Sequence, residues 1–186
     1  MFETMKTLVA LITLGAVGAA FAQSAQEMPM EALALVHERQ GEVQGCGVRL
    51  TGGEPKAAAS AWFDVSFNVF RRGIGLAQSF VYEMKRSGYE GEGRPARMLV
   101  QSTWLKAADE ASARLGENTE RRDSLVYTLL IDDVLSLFEA VGRGRPVMLG
   151  IRQWGQRVDA VYSGVPEIGD GARQQITACL AALARE

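Results

Sequence analysis

The clearest pattern in the chain is a strict alternation from Ala61 to Val69. Ala61, Phe63, Val65, Phe67 and Val69 share one side, and Asp64, Ser66 and Asn68 share the other. Successive side chains of an extended strand point to opposite faces, so this segment predicts a strand with one face in a core. Arg71-Arg72-Gly73 reads as a reversal. After it Ile74, Leu76, Phe80, Tyr82 and Met84 recur at every second position, interrupted by Gln78, which predicts a hairpin partner. Upstream, Val43 to Thr51 alternates weakly, with Val48 and Leu50 against Arg49, and Thr51-Gly52-Gly53-Glu54-Pro55 closes it with turn formers. That predicts a first strand, carrying Cys46. The glycine- and proline-punctuated stretch from Arg86 to Arg97 reads as an exposed loop. A strand from Met98 to Lys106 follows, with Met98, Val100 and Trp104 on one side and Leu99 and Leu105 on the other.

The period then changes. Val134, Leu135, Phe138 and Val141 form one apolar stripe at helical spacing, with Asp132 placed to cap the helix and Gly142 to end it. Pro146 to Trp154 and Arg157 to Ser163 predict the last hairpin, joined at Gly155-Gln156. A closing helix from about Asp170 carries Ile176, Cys179, Leu180 and Leu183 on one face. Ala107 to Asp123 has charges of both signs and no period, which suits a solvent-facing helix around Ala108 to Leu115 or a connection, and Ser124 to Ile131 returns to strand character. These elements predict a β-dominated α+β fold: an antiparallel sheet or sandwich of about six or seven strands, with a helix before the last hairpin and a C-terminal helix.

The first part of the chain reads differently. Lys6, an apolar run from Thr7 to Phe21 and Ala20-Phe21-Ala22 have the form of an export signal with a small-x-small cleavage site. The run is shorter than the roughly 20 residues a membrane-crossing helix needs. Residues 1–22 are therefore expected to be a signal peptide cleaved after Ala22, leaving a periplasmic or secreted protein with no transmembrane anchor. Residues 23–42 form a leader, with a short helix suggested by Pro29 ahead of Met30-Glu31-Ala32-Leu33-Ala34-Leu35-Val36 and by Gly41 just past its end. Residues 43–186 form a single β-rich domain.

Composition narrows the possible partners. A formal net charge of -2 over 186 residues lacks the basic excess of a nucleic-acid binder. Export alters the meaning of the two cysteines, because an oxidising compartment lets an even pair close. Cys46 and Cys179 are expected to form a structural disulfide. A redox pair usually comes as Cys-x-x-Cys, and a metal site needs more ligands than His37 could add.

The search for chemistry finds no catalytic, cofactor or metal set. His37, the single histidine, lies in the weakly structured leader, so a Ser-His-Asp or Cys-His set would depend on a residue not expected to be held rigidly. Gly91-Glu92-Gly93 and Gly142-Arg143-Gly144 lack the strand-to-helix setting and Lys-Ser/Thr ending of a phosphate loop, and read as turns. Asp132-Asp133 and Glu90/Glu92 are paired carboxylates by number alone. Adjacent helix residues do not face each other, and the loop glutamates read as solvated charge.

One surface set stands out: Arg152, Trp154 and Arg157 around the last hairpin tip, with Arg143 and Arg145 at the preceding turn. Arg and Trp are enriched in binding hot spots, and guanidinium forks suit phosphate or carboxylate groups. This candidate patch would fit an envelope protein or an anionic envelope component. The competing structural role is an Arg152–Asp159 pair across the hairpin, with Trp154 covering the sheet edge.

Asp133-Val-Leu-Ser-Leu-Phe-Glu-Ala-Val-Gly142, Pro146 to Ile151, Ser163-Gly164 and Ala172 to Leu183 together make a strand-helix-hairpin-helix ending. It is similar to the end of secreted bacterial proteins of the invasion-associated locus B type. The present chain departs from them in its single cysteine pair and its N-terminal half. The resemblance implies an exported, β-rich, non-enzymatic protein. The functional expectation is an exported, non-catalytic binding or accessory protein of the bacterial cell envelope, against the alternative of a periplasmic hydrolase or thiol-redox enzyme with dispersed residues.

Overall fold

A computed structural model describes residues 25–53, 61–86 and 93–185. The expected signal peptide, Glu90, Glu92 and the Glu54-Pro55 turn lie outside the described residues. The elements in chain order are β1 (Gln26–Glu27), β2 (Met30–Arg39), β3 (Glu42–Gly53), β4 (Ala61–Phe70), β5 (Gly75–Arg86), β6 (Gly93–Arg97), β7 (Val100–Ala107), β8 (Arg114–Arg122), β9 (Ser124–Leu129), α1 (Ile131–Gly142), β10 (Val147–Gln153), β11 (Ala160–Gly164), β12 (Pro166–Ile168) and α2 (Asp170–Leu183). They form a seven-stranded sheet ordered β12-β2-β3-β4-β5, with β6 and β9 sharing the far side of β5, and a five-stranded sheet ordered β1-β11-β10-β7-β8. Pairing is antiparallel except for β1 with β11 and β12 with β2. The β-dominated α+β class read from the sequence holds, with one helix before the last hairpin and one closing the chain.

The alternation in β4 does what its period dictates. Phe63, Val65, Phe67 and Val69 are buried, together with Cys46, Val48 and Leu50 of β3 and Ala77 and Val81 of β5. Toward one end this inner face meets the five-stranded sheet through Leu105, Leu149 and Ile151, and Phe63 packs against Tyr162 of β11 at 5.8 Å. Toward the other end the helices cover it. Phe138 of α1 meets the edge of Phe67 at 5.4 Å, and α2 lies under β2 and β3. Cys179 of α2 is disulfide-bonded to Cys46, 133 positions away, with a Cα–Cα distance of 5.9 Å. One hydrophobic cluster runs through both sheets and both helices.

Several sequence expectations are corrected. The leader helix is a strand: Met30 to Arg39 pairs with β3, and Gln40-Gly41, at φ 55 and 81, is the two-residue turn between them. Two successive residues in the left-handed region match the right-handed twist of a hairpin, so Gly41 ends a strand and not a helix. Cys46 consequently sits on the third strand. Residues 114–122 are neither helix nor connection but strand β8, whose mixed charges suit the solvent-facing edge it occupies beside β7. Gly93 to Arg97, read as loop, pairs with β5. Asp132 does not cap α1. Leu130 occupies that position with no side-chain bond, and Asp132 and Asp133 lie in the first turn, where carboxylates meet the positive end of the helix dipole. Leu137 joins Val134, Phe138 and Val141 on the buried side of α1, and Leu135 faces outward. In β7 the extra residue Gln101, set between Val100 and Ser102 against the single step from Arg152 to Gln153 of β10, flips the alternation, so Val100 and Leu105 both point inward while Trp104 points out.

Candidate functional site

The five residues of the expected patch divide into two groups. Arg143 and Arg145 follow α1 and are bound to acids of α1 and of the turn after β7. Arg143 pairs with Glu139 at 3.0 Å, and Arg145 pairs with Asp109 at 2.5 Å and with Glu139 at 3.8 Å. Arg152 points from β10 onto the outer face of the five-stranded sheet, where its Nε donates to Asp159 Oδ1 at 2.8 Å. Trp104 Nε1 donates to Asp159 Oδ2 at 2.9 Å, so the carboxylate is held from both sides. These contacts give Arg152 the structural role of a cross-hairpin pair. Beside them lies a shallow groove of about 400 Å³, walled by Trp104, Lys106, Leu115, Arg152 and Asp159.

Trp154 and Arg157 remain at the hairpin tip. The Trp154 backbone N–H donates to Leu99 O at 3.1 Å, and the guanidinium of Arg121 lies 5.7 Å from its ring centre. Arg157 is exposed. Arg121 was not legible as a neighbour, because β8 was not read as a strand. The surviving cationic tip is Arg121, Trp154 and Arg157.

A second surface is built on the outer face of the seven-stranded sheet, on which neither helix nor the five-stranded sheet packs. The ladder registers arrange it in rows: Gly53, Trp62, Tyr82 and Arg97; then Glu31, Thr51, Asp64 and Phe80; then Leu33, Arg49, Ser66, Gln78 and Val126; then Leu35, Gly47, Asn68, Leu76 and Thr128. Trp62 and Tyr82 stack at 5.6 Å and 14°, and Arg97 lies 4.4 Å over the ring of Phe80. Arg49 forks onto Asp64 at 2.8 and 2.5 Å. The hydrogen bonds and charge of Asp64 hold the Arg49 guanidinium above its ordinary value.

Glycine is what lets these side chains lie down. A Cβ at Gly47 would sit 2.0 Å from Asn68 Oδ1, so the Asn68 amide occupies the space a side chain would have filled. From there it meets His37 Nε2 at 2.8 Å. Asn68 is thereby buried, as Asp64 is beneath the Arg49 fork, although their positions alternate to the outer side.

No protein family, curated protein or solved structure matches this chain. The chemistry of the site is therefore read from its own geometry. His37, Asn68 and Ser66 form a chain, with Asn68 Nδ2 reaching Ser66 Oγ at 3.4 Å, but the amide stands between the imidazole and the hydroxyl. A hydrolytic set needs the imidazole in contact with the nucleophile so that it can take its proton. Cys46 and Cys179 are buried, where no substrate thiolate can reach the bridge. No group of three or more metal-ligating side chains occurs among the described residues. None of the described helices is long and apolar enough to cross a membrane.

Proposed function

We propose that this chain is an exported, non-catalytic binding or accessory protein of the bacterial cell envelope, and that it engages a protein partner through the outer face of its seven-stranded sheet. The observation that carries this reading is the construction of that face. Trp62, Tyr82, Phe80 and Asn68 are fixed by cross-strand stacking, hydrogen bonds and glycine neighbours, yet neither helix nor the other sheet packs on them. A rigid surface of aromatic groups and already paired charges loses little conformational freedom when it is covered. Its charges are mixed, Glu31 and Asp64 against Arg49 and Arg97, which suits a protein surface better than a polyanion. The signal-like residues 1–22, the buried disulfide and the resemblance of the C-terminal third to the invasion-associated locus B type support an extracytoplasmic setting.

The test is site-specific photo-cross-linking in cells. A photoreactive residue replacing Gln78, at the centre of the face, should trap an envelope protein, and the same residue replacing Arg157 should not. Cross-links from position 157 alone, or capture of an anionic glycolipid there with none at position 78, would move the function to the hairpin tip and overturn this assignment.

A further inference from the structure

We propose that a second copy of this chain pairs with the free length of β2, edge to edge and antiparallel about Val36. β3 accompanies β2 along its whole length on one side, whereas β12 covers the other side only at Met30, Glu31 and Ala32. Among the described residues, no backbone hydrogen bond reaches Leu33 to Arg39 from that side. Helix α2 does not fill the gap. It lies beneath the sheet, tied to Cys46 of β3, and packs against the inward-facing Ala34 and Val36. Protein edges are normally blunted by charge, proline or brevity. This one presents Leu33-Ala34-Leu35-Val36 in sequence, with Leu33 at 51% exposure.

The sequence of the free segment selects its own partner. Antiparallel pairing about Val36 uses all of Leu33 to Arg39 and stops where β12 begins. It sets Leu35 opposite the partner's His37, Leu33 opposite the partner's Arg39, and Ala34 opposite the partner's Glu38. No like charges face each other. Arg39 lies diagonal to the partner's Glu31 on the same face, within reach of long side chains, and the two-fold axis makes that contact twice. Parallel pairing in register would set Glu38 on the partner's Glu38 and Arg39 on the partner's Arg39, so the charges choose the antiparallel arrangement. The result is one continuous sheet with both outer faces on the same side.

Sedimentation over a concentration series tests this with the protein alone, independently of any envelope partner. The unmodified protein should reach twice the monomer mass as concentration rises. L35E/H37E sets Glu opposite Glu at two symmetric positions and should raise the dimer dissociation constant about tenfold. L35E/H37K sets Glu opposite Lys and should restore it. Circular dichroism of each variant checks that the fold is kept. Should L35E/H37E fail to fold, hydrogen exchange of the unmodified protein decides instead, because dimerisation should slow the alternate amides of Leu33 to Arg39 that point away from β3 as concentration rises. A monomer at every concentration, an unweakened L35E/H37E dimer, or concentration-independent exchange in β2 overturns the proposal.

Discussion

Two phenols sit against the core and carry the clearest pH signature of the molecule. Burial pushes Tyr127 above its ordinary value near 10, with the Thr103 and Ser79 hydroxyls pulling partly back, and burial alone pushes Tyr162 up. Ser79 and Thr103 hydrogen-bond to each other between the sheets at 3.1 Å, beside the Tyr127 hydroxyl. In the unfolded chain both phenols ionise near 10, while in the folded protein they still hold their protons. The unfolded state therefore gains by proton release as pH rises beyond that value. Their contribution to stability is full below pH about 10 and falls as pH climbs through the raised values. Denaturant titrations at increasing alkaline pH should show this fall, and Tyr127→Phe with Tyr162→Phe should flatten it. An equally steep fall in the double variant would assign the alkaline sensitivity to other groups. No reading of the sequence could have singled out these two tyrosines, because their burial depends on which sheet faces which. Asp64 and Asn68 likewise alternate to the outer face, and they are buried there by contacts that no local pattern shows, Arg49 over Asp64, and His37 and the space at Gly47 for Asn68.

At the scale of the element, the recurring device is an aromatic or amide group lying over a glycine of the neighbouring strand. Trp104 is as tight a case as Asn68: a Cβ at Gly150 would sit 2.0 Å from both its Nε1 and its Cε2. Gly150→Ala should force the indole to swing and release Asp159, at a cost of ~1–3 kcal/mol. At Gly142, the last residue of α1, an added Cβ meets nothing within 4 Å. Gly142→Ala should therefore be neutral or stabilising by up to about 1 kcal/mol. Thermal melts of the two variants check the contrast, and equal effects would refute it. Elements with one dry and one wet face were legible: β4, the stripe of α1, and α2 with Cys179 on its buried side. β5 was legible as a strand, but its repeating Leu76, Phe80 and Tyr82 lie on the outer face while Ala77, Ser79 and Val81 are buried. The misread ones have neighbours that override the local pattern. Ala32 to Val36 is apolar without alternation: α2 covers one face of β2, while Leu33 and Leu35 lie on the other. The charges of 114–122 obscured the period because β8 is an edge. The patch at the last hairpin was half legible, since Arg152 and Asp159 are close in sequence, but the acids that bind Arg143 and Arg145 come partly from Asp109, far along the chain.

At the scale of the whole molecule, the two sheets are not two folding units. One cluster of buried residues joins Val48 and Phe67 of the larger sheet to Leu149 of the smaller one and to Leu137 of α1. Heat should unfold them together: far-ultraviolet dichroism should coincide with fluorescence from Trp62 on one sheet and from Trp104 on the other, each followed in a variant lacking the other two tryptophans. Separate midpoints for the two fluorophores would show that the sheets melt apart. The same wiring imposes a timetable on assembly. The β2–β3–β4–β5 meander is joined by neighbours in sequence and can form as soon as it emerges. β1 and β2, near the start, acquire their parallel partners β11 and β12 only from the last stretch of chain, and Cys46 waits for Cys179. A nascent chain that has emerged only as far as the β10–β11 loop still holds an open edge, an uncovered patch beneath β3 and one unpaired thiol. Synthesis from the N-terminus thus leaves these elements unclosed until α2 arrives, and a truncation removing α2 takes the latch with it.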